Sequence, residues 1–232
     1  GLAADGPLRF KLTFGEVPSE VAVPFDSYRE SLSRAWLQDE VVSVMYVPQT
    51  VTLSRRLAFR YVKIELLGSS PYYDFNIHDM KCMAQTSAKN IPEELPQAVD
   101  PMIRKIDRVG LNTLKECMQT VYEDGPKRDQ RLWIGDLYLE ALGNNYSYKQ
   151  HDLTKRCLYL LAGLSDLNGY LLATVIENPV PRAQDKQFLY EYALLYNVTL
   201  KDYLEATGDM ETVKDLWPVA KKQLDIVRTN VK

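Results

Sequence analysis

Cysteine and histidine are scarce: three cysteines (Cys82, Cys117 and Cys157) and two histidines in 232 residues. The cysteines are odd in number, far apart and without a C-x-x-C pair. That excludes a disulfide framework and, with so few histidines, a zinc site, so the three read as buried small hydrophobes. No apolar run approaches the roughly 20 residues of a membrane span. The opening stretch, Gly1 to Gly6, has neither the charged start nor the long apolar core of a signal peptide. Blocks of like charge are missing too. With 28 Lys and Arg against 31 Asp and Glu, the net charge is −3, which argues against nucleic acid or an anionic membrane as partner and fits a neutral substrate. What remains is 46% hydrophobic and 25% charged, a globular composition with room for one large domain or two smaller ones.

The first third of the chain reads as β-structure. Leu8 to Phe14 alternates apolar and polar residues strictly, the pattern of a half-buried strand. Almost nothing precedes it to pair with, so the chain reads as a segment of a longer polypeptide. Val41 to Val47, Thr50 to Leu53, Ala58 to Leu66 and Phe75 to Met83 read as further strands, separated by Pro48, Ser54-Arg55-Arg56 and Gly68 to Pro71. Short strands with frequent turn residues predict a sandwich. Pro18 and Pro24 predict an irregular connection over 18–38, with a short strand or helical turn from Asp26 to Trp36. Trp36, Tyr61, Tyr72 and Tyr73 offer a sugar-stacking platform, although such aromatics more often serve a core or an interface.

Ser87 to Pro96, with two Pro among polar residues, reads as a linker, which places a β-sandwich portion at 1–90 and a helical portion at 91–232. Ile103, Ile106, Val109, Leu114, Cys117, Met118 and Val121 recur at helical spacing and predict a helix whose stripe packs into a core. Leu137 to Leu142 predicts a short helix that Gly143-Asn144-Asn145 stops. Asp152 or Thr154 is the expected cap of the next helix, which Leu153, Cys157, Leu160, Leu161 and Leu164 line. After a long connection over 165–181, helices are predicted over 185–207 and 211–230, with Gly208-Asp209 as the turn. The succession is one of antiparallel helical hairpins, as in an α/α barrel.

Between the first two helices lies the stretch that carries chemistry. Glu123 to Asp136 holds four carboxylates, three cations, Trp133, two Gly and a Pro in fourteen residues. Gly125-Pro126 and Gly135 are expected to break any helix there and present the charges on a loop. Paired carboxyl groups suit glycoside hydrolysis, in which one acid protonates the leaving oxygen while others hold hydroxyls or activate water. Arg128 and Arg131 would keep neighbouring carboxylates ionised, burial beside Trp133 would favour a neutral acid, and Trp133 could stack on a sugar face. The alternative for the same residues is an Asp/Arg ion-pair cluster closing a helix–helix turn.

Asp124-Gly125-Pro126-Lys127-Arg128-Asp129-x-Arg131-Leu132-x-x-Gly135-Asp136 resembles the signature of bacterial α-L-rhamnosidases, inverting glycosidases built on a six-hairpin α/α barrel. Ala58 to Ile64 is similar to the strand that ends that family's β-domain. Tyr203 to Asp209 is similar to its YxxxTGD helix close. The resemblance implies a jelly-roll-like β-sandwich portion followed by the first hairpins of an incomplete barrel. It also implies a rhamnose-containing oligosaccharide or glycoside as substrate, no metal or organic cofactor, and contact with the rest of the parent polypeptide. In such enzymes the catalytic base is a carboxylate from the later half of the barrel, so this chain alone is expected to be inactive. Asp124, Arg128, Gln130, Trp133 and Asp136 fall at substrate-binding positions.

Many members have Glu where Gln130 stands and use it as the general acid, a role an amide cannot fill. Asp129 is therefore the candidate acid, against a role fixing Arg128 or Arg131 in an ion pair. A carbohydrate-binding module without turnover, and a six-hairpin glycosidase acting on another sugar, remain alternatives.

Overall fold

The structure, a computed structural model, describes residues 7–25, 36–70, 72 and 75–230. The chain divides into two compact units: residues 1–83 with the loop tip 126–128, and residues 84–125 with 129–232.

In the first unit, strand β1 (Leu8–Gly15) is followed by a single helical turn, α1 (Pro18–Ala22), then β2 (Asp39–Val44) and β3 (Tyr61–Gly68). The three strands form one antiparallel sheet in the order β2-β1-β3, with Phe10 opposite Val42 and Leu66. The alternation of β1 does what its period dictates: Leu8, Phe10 and Phe14 are buried while Arg9 faces solvent. Leu8, Phe10 and Val44 make a small core.

Several expectations fail in this unit. Thr50 to Leu53 and Phe75 to Met83 form no strand, because their apolar residues have no neighbouring strand to complete a ladder, and Met80 and Met83 are exposed. The stretch after Val17 is helical where an irregular connection was expected: Pro18 sits at the first helical position, and the Glu20 carboxylate accepts the Glu16 N–H at 2.6 Å. The expected element over Asp26 to Trp36 lies outside the described residues except for Trp36, as does Tyr73. Cys82 is exposed, unlike Cys117 and Cys157.

The second unit is helical. Helix α2 (Pro101–Cys117) starts with Asp100, whose carboxylate accepts the Met102 N–H at 2.7 Å, and with Pro101 in the first turn. Only its second half packs inward. Ile103, Ile106 and Val109 are exposed, contrary to the expected core stripe, because α2 leans on the next helix from Leu111 and Leu114 onward. The two-residue strand β4 (Leu132–Trp133) leads into α3 (Ile134–Tyr146), and α4 (His151–Gly163) follows. A hairpin of β5 (Thr174–Ile176) and β6 (Arg182–Ala183) comes next, then α5 (Tyr190–Thr207) and α6 (Met210–Asn230). Strands β4, β5 and β6 form a second, small antiparallel sheet, whose strand β5 lies in the stretch expected to be a plain connection.

Gly143-Asn144-Asn145 does not stop α3. Asn144 is buried and its Oδ1 accepts the Gln150 N–H at 2.9 Å, so this side chain ties the end of α3 to the start of α4. Neither Asp152 nor Thr154 caps α4. Its first residue is His151, and Thr154 is buried with its hydroxyl 3.1 Å from the Tyr122 hydroxyl.

The α5–α6 turn shows what the Tyr203 to Asp209 pattern does. Gly208 takes φ +71°, and Asp209 accepts from the Thr212 N–H at 3.0 Å, the Tyr203 hydroxyl at 2.9 Å and Lys155 Nζ at 3.0 Å. These bonds hold the Asp209 carboxyl well below its ordinary pKa. The core runs through all of α3 to α6, with Leu132, Ile134, Leu137, Cys157, Leu158 and Tyr196 wholly buried.

Candidate active site

The signature stretch is a loop closed at its neck. The Asp124 N–H donates to the Arg131 carbonyl at 3.0 Å, the Arg131 N–H donates to Asp124 Oδ1 at 3.2 Å, and the Gln130 N–H donates to the Gly125 carbonyl at 3.2 Å. Closing so short a loop places Gln130 at φ +54°, a left-handed conformation uncommon outside glycine. From the neck the chain enters β4, where Trp133 pairs with Thr174 and the Ile134 N–H donates to the Ala173 carbonyl. The sheet therefore fixes where α3 begins and where its first-turn acid, Asp136, stands.

Gly135 is not a helix breaker here. It lies in the first turn of α3, and a Cβ on it would stand 2.5 Å from the Tyr192 ring. Tyr192, from α5, packs on that bare backbone and meets Trp133 edge-to-face, with centroids 6.4 Å apart. The charge of Asp136 bears on the Tyr192 phenol. Tyr192 lies in the helix predicted over 185–207 and was not placed at the site; a glycine between Trp133 and Asp136 was the available signal that a side chain closes on that spot.

Asp124, Asp129 and Asp136 come together. Burial pushes the Asp124 carboxyl up to about 6. The Arg131 backbone N–H opposes the rise, and the charges of Asp129 and Asp136, with a hydrogen bond to Asp129, add to it. Asp136 is raised as well, by burial first and by Asp129; its own backbone N–H pulls the other way. For Asp124 and Asp136, where guanidinium control was expected, the leading influences are burial and neighbouring carboxylates. Arg131 Nη1 donates to Gln184 Oε1 at 2.9 Å, and Arg128, grouped with the first unit, places its guanidinium carbon 4.8 Å above the Trp36 ring. Burial beside like charges sets the protonation.

Within the first unit, the loop tip is held by the Lys127 carbonyl, which accepts from Gln38 Nε2 at 2.7 Å, and by Lys127 Nζ, which pairs with Glu20. No group of acids, histidines or cysteines among the described residues is arranged to hold a metal ion. No helix among the described residues is long and apolar enough to cross a membrane.

The chain is similar to known proteins along its length. Residues 1–84 match the glycosyl hydrolase family 78 alpha-rhamnosidase N-terminal domain, and residues 97–232 match the bacterial alpha-L-rhamnosidase six-hairpin glycosidase domain. A solved rhamnosidase from Klebsiella oxytoca with rhamnose bound is 40% identical and superposes with a TM-score of 0.93, over 100% of this chain and 45% of that one. The family 78 rhamnosidase of Bacillus sp. GL1 is similar in fold at 18% identity, with a TM-score of 0.66 over 99% of this chain and 22% of that one. An α-L-rhamnosidase from Dictyoglumus thermophilum is similar in fold at 14% identity, with a TM-score of 0.64 over 99% of this chain and 25% of that one. No curated protein matches the sequence. The chain spans less than half the length of each of these three structures. By both domain matches and by its 40% identity over its whole length to a solved rhamnosidase, the chain belongs to the family 78 α-L-rhamnosidases.

Proposed function

We propose that the polypeptide carrying this chain hydrolyses terminal α-L-rhamnosides with inversion, and that Asp129 is the general acid. The observation that carries the assignment is the contact between Asp124, whose carboxyl titrates near 6, and Asp129. The hydrogen bond between the two side chains places the raised Asp124 carboxyl, which keeps its proton beyond the ordinary aspartate range, directly against Asp129. That proton is available to the glycosidic oxygen as the bond to the aglycone breaks. Asp136, at the start of α3, accepts from sugar hydroxyls, Gln130 accepts and donates, and Trp133 offers its face to the ring.

Inversion needs a second carboxylate roughly 6.5–9.5 Å from the acid with a water between them. Asp124 and Asp136 are committed to the acid's own environment, so the base is assigned to a part of the polypeptide other than this chain, which by itself does not turn over. The division into a β-sandwich portion ending near residue 90 and a helical portion after it belongs to the same proposal. The rhamnose held by the Klebsiella oxytoca relative supports the choice of sugar.

The test uses aryl α-L-rhamnosides with good and poor leaving groups. In the full-length protein, Asp129→Asn lowers turnover of the poor leaving group by about 10²–10⁴-fold and spares the activated one, which needs little protonation. Equal loss on both, with weaker rhamnose binding, would move Asp129 to a positioning role. Binding without turnover of either substrate by the full-length wild type would support a carbohydrate-binding module, the reading that Gln130 favours.

A further inference from the structure

A fourth carboxyl group lies beside the three used above. Glu140 follows Asp136 by one turn on α3, so the two share a helix face. Glu140 Oε2 is closed off from solvent and has no hydrogen-bond partner, and the carboxyl shares a hydrogen bond with the Cys117 thiol at the end of α2, a weak donor. The groups facing it are Asp136 from its own helix, Glu123 and Asp124 from the loop, Cys117 from α2, Tyr122, and Cys157 from α4. Arg156, whose charge bears on Cys157, is paired with Glu177. A carboxylate at this place would be a buried charge with one weak donor among like charges, which favours the neutral acid.

We propose that Glu140 is a positioning residue for the carboxyl group of the active site: in its neutral form it fills the space beside Asp124 and Asp136 and adds no charge to them. The inference rests on the glycosidase reading above. Burial, then the charge of Asp136, pushes the Glu140 carboxyl up to about 8, with the thiol hydrogen bond opposing and Asp124 and Glu123 adding to the rise. Between neutral and mildly alkaline pH, Glu140 therefore passes from silent to charged. Once charged, it raises the proton affinity of its neighbours and draws out the alkaline limb of activity.

The experiment compares full-length wild type, Glu140→Gln and Glu140→Leu by kcat and KM on an aryl α-L-rhamnoside from pH 5 to 9, with the infrared carbonyl band of protonated carboxylic acid recorded near pH 6.5. Glutamine has the shape of the neutral acid and never ionises. The Gln variant should lose no more than about threefold in kcat at pH 6, and its alkaline limb should move down by about half a pH unit or more. The Leu variant, which cannot meet the thiol, should lose about tenfold or more in kcat with a smaller change in KM. The wild-type carbonyl band should be weaker in the Gln variant and should fade as the pH passes 8. Superimposable pH profiles for wild type and Gln, or no difference in the carbonyl band, would overturn the proposal while leaving the glycosidase reading standing. Absence of turnover by the wild type would overturn that reading and the positioning role together.

Discussion

The two units treat their acids in opposite ways. In the β unit, acids meet cations at positions that solvent reaches at least in part: Lys11 with Asp39 at 3.1 Å, Lys63 with Glu65 at 3.0 Å, Arg55 with Glu40, and Lys127 with Glu20. Burial is the largest single influence on Glu20 and raises it, but Lys127 and the backbone N–H groups of Glu16 and Val17 together hold it below the ordinary carboxylate range. In the helical unit, the signature acids meet each other inside a packed body, and Asp124, Asp136 and Glu140 are all raised. Carboxyls that must keep a proton near neutral pH need surroundings rigid enough to hold like charges together. A sheet whose core is Leu8, Phe10 and Val44 does not offer that, and helices α3 to α6 do.

The sharpest way to break this contrast is to cut the same side chain from each core. Leu158 is wholly buried in α4, and Leu158→Ala is expected to lower stability by about 2–5 kcal/mol. Leu8→Ala, in the three-residue cluster, should fall at or below the bottom of that range. Chemical denaturation of each variant checks the pair, and equal losses would remove the distinction between the cores.

Gly135→Ala comes next. The new methyl meets the Tyr192 ring, so about 1–3 kcal/mol is expected from the forced repacking, with Tyr192→Ala in the same chain recovering most of it.

The pH response separates the units by sign. Asp124 and Glu140 are raised in the folded state, so their contribution is fully present below the unfolded values of 3.8 and 4.5 and is lost as the pH climbs through about 6 and about 8. Glu20 is lowered, so its contribution is present above 4.5 and lost on acidification. Melting curves recorded from about pH 2 to about pH 9 should show Glu140→Gln flattening the alkaline decline and Glu20→Gln flattening only the acid side. Asp209, lowered at the α6 cap, marks the exception within the helical unit. The smallest effect is that of Glu20→Gln at neutral pH, about 1 kcal/mol or less, because the pair is solvent-exposed.

Long periodic segments were legible in the sequence. The apolar spacing of α5 and α6 and the Gly208-Asp209 turn predicted both helices closely, although α5 starts at Tyr190, five residues after the expected point. The two-residue strand β4 and the three-residue β5 are too short to show any period, yet they aim Trp133 and Asp136. Gly143 and Asn144 carry the chemistry of a helix stop, but Asn144 is consumed by the Gln150 N–H, a partner that only the folded chain supplies. The acid cluster was visible as a motif. Its electrostatics were not, because charge counting does not weigh the burial that folding imposes on Asp124 and Asp136.

The neck of the signature loop has a mechanical consequence. Asp124 Oδ1 accepts the Arg131 N–H that closes the loop, and a charged carboxylate holds an amide proton more tightly than a neutral acid does. As Asp124 loses its proton near pH 6, the clasp strengthens; as it regains one, the clasp slackens. Amide exchange at Arg131 should therefore rise across that interval by less than intrinsic base catalysis alone would give, making the loop an indicator of its own protonation.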